Sequence, residues 1–337
     1  MSSPDKAPSI IQHRHRNGIS RSGGFLLAKG AGGEYNVRSI ALHMKFYIVT
    51  PAYNALHWLK TCVRSVADQA CDGVEVHHHV QDGGSADGTV EWLREWQDSH
   101  QQAGYSLSFE SAPDKGMYDA INKAWDKLPA DAHITAHLNC DEQYAPGALQ
   151  KVAQAASAAP KADMFVTSHI IIDAQNRYIC HRRPLKPYKW VSHTTCEIIT
   201  CTCFHRVAYF LSHGVRFDTQ WRSIGDLIFY RDILQHSPRV ALLPHLFASI
   251  FRVTGSNLAW SDITQKEWDI YNNLMPKAAY RFRKLADVLS KVKHRLCNAL
   301  HANPDSYEVY PPDASQRVKI HIKHPTVHWG CRTVGEE

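Results

Sequence analysis

No stretch of this chain approaches the ~18 uninterrupted apolar residues that a membrane span needs, although 44% of its 337 residues are apolar. A spanning helix is therefore not expected. The opening residues, MSSPDKAPSIIQHRHRNGISRS, lack the apolar run of a secretory signal, so translocation is not expected and a cytoplasmic location is. A paired CxxC framework is also missing. Nine cysteines are scattered, and the nearest group, Cys196, Cys201 and Cys203, lies in TCEIITCTCF, which reads as a buried strand region. Structural thiols in a reducing compartment fit this better than zinc. The 22 histidines form no evident metal set: His77, His78 and His79 occupy consecutive strand positions, so alternate rings face opposite sides and cannot all meet one ion.

A general basic field is absent as well. The net charge is +6, but residues 1–43 hold six Lys/Arg against two acids and residues 271–300 hold seven against one, which leaves the body slightly acidic. Nucleic acid is not an expected partner. Chain length allows one large core or two modest ones.

What is present begins at Met44. Residues 1–43 are Gly/Ser/Arg-rich without sustained periodicity and read as a flexible tail. After it, the apolar run Phe46–Thr50 stops at Pro51, and ALHWLKTCVRSVADQ places Leu56, Leu59, Val63 and Val66 at helical spacing. VEVHHHVQ follows as a strand, TVEWLREWQDSH as a helix, YSLSFES as a strand, KGMYDAINKAWDKL as a helix and HITAHLN as a strand. Such alternation predicts an α/β fold, a mostly parallel sheet covered by helices. Ligands of these sheets bind beyond the carboxyl ends of the strands. Asp82, Asp114 and Asp141 each follow an apolar strand, so all three are expected on one edge. Taken singly, Asp82–Gly88 could be only a tight turn with Asp87 capping the next helix.

The ordered set VTPAYN (49–54), QDGGSADGT (81–89), PDKGMYDAINKA (113–124) and LNCDEQY (138–144) resembles the inverting family 2 glycosyltransferases, which have the Rossmann-like GT-A fold. TCTCFHRVAYFLSHGVRFDTQWRSIGDLIFYRDIL is similar to their acceptor-side segment, and FRVTGSN to the stretch after it. The resemblance covers roughly residues 44–260, with a nucleotide-sugar half (44–145), an acceptor half (146–260) and a C-terminal extension (261–337).

That resemblance implies a nucleotide-diphospho-sugar donor, with a UDP-sugar as the reference case, and a hydroxyl of a glycan or lipid-linked glycan as acceptor in polysaccharide assembly. Asp82 would accept the imide N–H of a uracil-like base beside a Gly–Gly turn. Pro51, Ala52 and Tyr53 would line the same pocket, Tyr53 covering the base. Asp114 would lie near the ribose or sugar, and Lys115 and Gly116 would meet the phosphates; the local alternative is a capping Asp114 and a solvated Lys115. NCDEQY occupies the place of the family's DxD metal motif, whose Mg²⁺ or Mn²⁺ neutralises the departing diphosphate. Here the first position is Asn139, so Asp141 is the expected direct ligand and Asn139 a contact to the donor or a metal-bound water. Asp226 matches the general base, with Asp218 in reserve. Gly225 departs from the pattern, which has an acid there, and Asp226 could instead cap a helix. Two rivals stand beside this reading. A sugar-nucleotide nucleotidyltransferase would carry a glycine-rich phosphate loop where TPAYNAL stands, and a non-catalytic nucleotide- or glycan-binding module would tolerate Asn139 and Gly225.

In the extension, Ala278, Phe282, Leu285, Leu289, Val292, Leu296 and Ala299 form a narrow apolar stripe on a basic helix spanning 274–300. It would pack on the catalytic domain, pair with a second copy in a homo-oligomer, or lie on an anionic membrane at the inner face of the plasma membrane. RVKIHIKHPTVHW alternates like an exposed strand or hairpin.

Overall fold

Alternating side-chain direction in one strand, buried on both faces, organises the molecule. In β4 (Met44–Ala52), Phe46 and Ile48 enter an apolar cluster with Leu59, Val63 and Val66 of α1 (Leu56–Ala67), Leu93 of α2 (Thr89–Ser99), and Leu149 and Val152 of α4 (Ala148–Ala158). Tyr47 and Val49 point the opposite way. They meet Ile121 and Trp125 of α3 (Met117–Trp125), Phe210 of α5 (Val207–His213), and Phe229 and Ile233 of α6 (Gly225–Gln235). The sheet is thus covered by helices on both faces. The computed structural model describes residues 43–327 apart from 101, 196 and 256–260, together with residues 21–22, 25–29 and 35–38. The last three stretches are β1 (Arg21–Ser22), β2 (Phe25–Lys29) and β3 (Tyr35–Arg38), an antiparallel sheet within the stretch read as a tail; they belong to a unit, Met1–Ala41, separate from Leu42–Glu337.

In the larger unit, β5 (Val74–Asp82), β6 (Tyr105–Ser111), β7 (Ile134–His137), β8 (Gln143–Tyr144), β9 (Met164–Asp173), β10 (Tyr178–Arg182), β11 (Cys203–Arg206) and β12 (Val240–Val253) join β4. Their order is β6-β5-β4-β7-β11-β9-β12-β8, with β10 on β9. Pairing from β6 to β7 is parallel, as the strand–helix alternation predicts. Beyond β7 it is mixed, because β11 runs antiparallel between β7 and β9. The TCEIITCTCF stretch is strand only from Cys203: Thr200–Thr202 forms a 3₁₀ turn, where the Thr202 hydroxyl donates to the Ile199 carbonyl at 2.6 Å. A local bond of this kind competes with ladder pairing.

The histidine run in β5 shows the same alternation. His77 and His79 both reach the Ser108 hydroxyl at 2.8 Å and lie against Tyr47, whereas His78 turns to the other face and bonds the Thr50 hydroxyl at 2.8 Å. Burial lowers His78 to about 3, His169 to about 3 and His205 to about 4. The folded state holds these rings neutral while the unfolded chain protonates them below about 6.5. Their contribution is therefore complete above that value and is lost progressively as pH falls toward 3–4, at a rate on the order of 1 kcal/mol per ring per pH unit. The thermal midpoint should drop by several degrees from pH 7 to 5.5, and less steeply in His78→Gln. A midpoint that stays level over this range would contradict the assignment.

The C-terminal region returns to the sheet. Tyr271 and Met275, on and after α7 (Asp262–Leu274), pack on Ile224, Leu227 and Ile228. Tyr307 and Val309 of β13 (Ser306–Val309), which pairs with β14 (Val318–His321), cover Ile170, Ile172 and Ile250. Tyr310 and Gln143 exchange two bonds at 2.8 and 2.9 Å, and Arg317 grips Asp68 at 2.6 and 3.0 Å. So RVKIHIKH is one arm of a strand pair. The basic helix is α8 (Lys277–Ala299), but the face it buries is not the apolar stripe: Ala286, Ser290 and Asn298 turn inward. No described helix is long and apolar enough to cross a membrane.

Candidate active site

Strand register brings the expected residues to one edge. Ala52 pairs with Asp82 and Asp82 with Ser111, while the Leu138 amide bonds the Val49 carbonyl at 2.9 Å, so the ends of β4, β5, β6 and β7 lie side by side. Pro51 and Ala52 close β4, and the Tyr53 ring beyond them is 63% exposed. Gly83 shows how tightly these loops meet. A Cβ there would fall 2.6 Å from Asp114 Oδ2 and 3.3 Å from the Tyr53 ring, so any larger residue would push the Asp114 carboxylate aside.

Asp82 is fully buried and already busy. Its Oδ2 accepts from the Gly84 amide at 3.1 Å, the Ser85 amide at 2.9 Å and the Ser111 hydroxyl at 2.5 Å, and its Oδ1 accepts from the Ser85 hydroxyl at 2.5 Å. The carboxylate thus builds the glycine turn in addition to any ligand contact. Asp87 joins the two loops, accepting from the Thr89 amide and hydroxyl at the start of α2 and from the Leu56 amide at the start of α1.

Asp114 Oδ1 accepts from the Gly116 amide at 2.7 Å, which shapes the loop entering α3. Gly116, at φ 120°, takes a conformation that other residues avoid. The Lys115 amide bonds Asp119 at 3.0 Å, and its side chain is exposed. Both the local and the ligand readings of this loop are compatible with that arrangement.

At the end of β7 the turn Asn139–Glu142 separates two neighbouring acids. Glu142 is buried and folds back to accept the Asn139 amide at 2.8 Å, whereas Asp141 is half-buried. Burial raises both carboxyls, and the charge of Asp141 pushes Glu142 further. Against this, the guanidinium of Arg252 favours an ionised Asp141. Arg252 is itself buried, stacked over Trp58 at 4.6 Å and bonded to Asn176 at 2.6 Å. Among the described residues no group of three or more His, Cys, Asp or Glu could hold a metal. Two hard oxygens are nonetheless well placed: the Asp141 carboxylate and Asn139 Oδ1, which is buried with no hydrogen-bond partner. They fit a divalent ion that takes its remaining ligands from a diphosphate.

Asp226 stands in the first turn of α6, half-buried, its Oδ1 accepting from the Leu227 amide at 2.8 Å. Its own amide donates to the Tyr118 hydroxyl at 3.2 Å, and that hydroxyl donates to the Ser223 carbonyl at 3.1 Å. Tyr118 lies on α3, two residues past Gly116, so one ring couples Asp226 to the loop that opens α3. This contact also accounts for Gly225. A Cβ there would lie 2.4 Å from the Tyr118 ring, so no larger residue fits without displacing it. Asp218 is exposed and bonds Gln220 within its own turn.

Two residues of this site escape a reading of the sequence. Glu267 on α7 is buried and accepts from the Arg222 amide at 2.6 Å, the Ser223 amide at 2.9 Å and the Ile224 amide at 3.0 Å, so it fixes the segment that launches α6. Arg252 is the other. Each acts on residues far away along the chain, and neither sits in a local motif; a polar residue predicted on the inner side of its element was the only signal.

The model for glycosyl transferase family 2 matches residues 47–213, about half of the chain. None of the curated proteins matches it in sequence. Among solved structures it is similar to TarS 1–349 from S. aureus in complex with UDP-GlcNAc, with 15% identity and a TM-score of 0.55 over 68% of this chain and 65% of that one. It is also similar to the mannosyltransferase PcManGT from Pyrobaculum calidifontis in complex with GDP-Man and Mn²⁺, with 16% identity and a TM-score of 0.53 over 77% and 75% of the two chains. The parallel first half of the sheet and the helices on both of its faces agree with that match: the chain is a family 2 glycosyltransferase with the GT-A fold.

Proposed function

We propose that the enzyme moves a sugar, with inversion, from a nucleotide-diphospho-sugar to a hydroxyl of a glycan or lipid-linked glycan during polysaccharide or glycolipid assembly. The observation that carries this reading is the Tyr118 link, which ties the amide of Asp226 to the helix that starts at the donor loop. A base in that place can take the acceptor's proton while the acceptor oxygen attacks the anomeric carbon from the face opposite the diphosphate. One bond forms to the acceptor oxygen, the bond to the diphosphate oxygen breaks, and the nucleoside diphosphate leaves with the electron pair.

On the donor side, Pro51, Ala52, Tyr53 and the turn built by Asp82 would hold the base. Asp114, Lys115 and Gly116 would hold the ribose and phosphates. Asp141 and Asn139 would hold Mg²⁺ or Mn²⁺, which when bound neutralises charge on the departing diphosphate. Arg252 keeps positive charge beside Asp141 throughout. Support for a nucleotide-sugar and a metal also comes from the two similar structures, which contain UDP-GlcNAc in one case and GDP-Man with Mn²⁺ in the other. Discrimination among sugars rests on a few hydroxyl contacts.

A donor that binds only the folded state stabilises it by about 2.7 kcal/mol at a hundredfold excess over Kd. A thermal-shift series with UDP-GlcNAc, UDP-glucose and GDP-mannose, with and without Mn²⁺, should therefore raise the midpoint by several degrees for one nucleotide class. The donor so identified should release nucleoside diphosphate when a glycan acceptor is supplied. Binding without release would favour the non-catalytic module, and conversion of a nucleoside triphosphate plus sugar phosphate would favour the nucleotidyltransferase.

A further inference from the structure

The long C-terminal helix shows its bulky side chains to solvent. Facing the body are Ala279, Arg283, Ala286, Ser290, Lys293, His294, Cys297 and Asn298, with Lys293 held 4.4 Å over the Tyr188 ring and Arg283 bonded to Asn272 at 2.6 Å. One step around the helix, Phe282 is 57% exposed, Leu285 53%, Leu289 41%, Val292 44% and Leu296 60%, and Val288 and Leu300 extend the same surface. At 1.5 Å per residue this apolar row runs about 27 Å from Phe282 to Leu300. On the flank away from the body, Lys277, Arg281, Lys284, Lys291 and Arg295 form a parallel row, all exposed.

Charge decides what covers the row. Seven Lys/Arg stand against one acid between residues 271 and 300, and that acid, Asp287, is paired with Lys291 at 2.8 Å. A second copy seated row against row would bring like charges together. The chain's own first 43 residues carry six Lys/Arg against two acids and would meet the same repulsion. An apolar row beside a cationic row, parallel to the helix axis and on its outer side, matches a flat surface with anionic groups above hydrocarbon. We propose that α8 lies in the headgroup layer of an anionic lipid bilayer, apolar row inward and basic row among the lipid phosphates, and so holds the enzyme at a membrane surface. This goes beyond the transfer reaction, and its test involves no donor.

The test is co-sedimentation of the full chain with phosphatidylcholine vesicles, with and without about one-third phosphatidylglycerol. Wild type should bind the anionic vesicles at least about tenfold more tightly than the neutral ones. Arg281→Gln/Lys284→Gln/Arg295→Gln should lose that preference, and Phe282→Glu/Leu289→Glu/Leu296→Glu should bind neither, both with wild-type thermal midpoints because the altered side chains are exposed. Equal recovery of wild type and the triple glutamate variant, or no recovery of wild type, would overturn the proposal. A wild-type dimer seen by sedimentation velocity, abolished by the glutamate substitutions and accompanied by no vesicle binding, would assign the row to a second copy instead.

Discussion

Replacing Asp226 with asparagine is expected to lower kcat by about two to four orders of magnitude, the range general-base catalysis supplies, while donor affinity stays within about twofold. The substitution keeps the volume and an oxygen for the Leu227 amide, so the first turn of α6 retains that bond. What disappears is the carboxylate proposed to receive the acceptor's proton. Single-turnover rates with saturating donor, set beside donor titration by calorimetry, separate the two quantities. Near-normal turnover would remove Asp226 from the role, and a large loss of donor affinity would mean that it acts on the donor instead. The same measurement on Asp218→Asn should give close to wild-type rates, since that side chain is exposed and engaged with Gln220.

Glu267→Ala should be the most damaging change outside the reacting groups. Removing its carboxylate leaves three backbone N–H groups, of Arg222, Ser223 and Ile224, without their acceptor in a half-buried segment. Losing charge-assisted bonds there costs on the order of 3 kcal/mol. Because α6 starts at the very next residue, Asp226 should also shift, and an ångström of misplacement can cost about a hundredfold in rate. Denaturant unfolding should show the lost stability, and kcat should fall while donor affinity holds. Glu267→Gln should recover part of both, since one carbonyl oxygen remains to accept. An alanine variant with wild-type midpoint and kcat would reduce Glu267 to an incidental neighbour.

The fold of the first half was readable from the chain because its rules are local. Phe46–Thr50 stops at a proline, Asp82 ends an apolar strand before two glycines, and Gly116 opens a helix with a clear apolar face. Parallel pairing then gathers these ends without further information. The rest depends on contacts that no window of sequence contains. Gly225 looked like a departure from the family pattern until the Tyr118 ring, more than a hundred residues earlier, was seen to fill the space of its Cβ. Glu267 reads as one more acid on a polar helix. Nor does any window of sequence show that Asp82 also accepts from Gly84 and Ser85 of its own turn and, across the sheet, from Ser111 at the end of β6. In α8 the spacing correctly grouped Phe282, Leu285 and Leu289 on one side, but periodicity does not tell which side meets the body. Small residues such as Ala286 and Ser290 allow the closer approach.

The strand pair near the end of the chain carries a consequence for synthesis. Tyr310 reaches back 167 residues to Gln143, and Arg317 reaches back 249 residues to Asp68. Until residues 303–321 have been made, the edge formed by β8 and the sheet face that Tyr307 and Val309 later cover stand open to water. Contacts between such distant ends slow folding, so the last strand pair closes the sheet late.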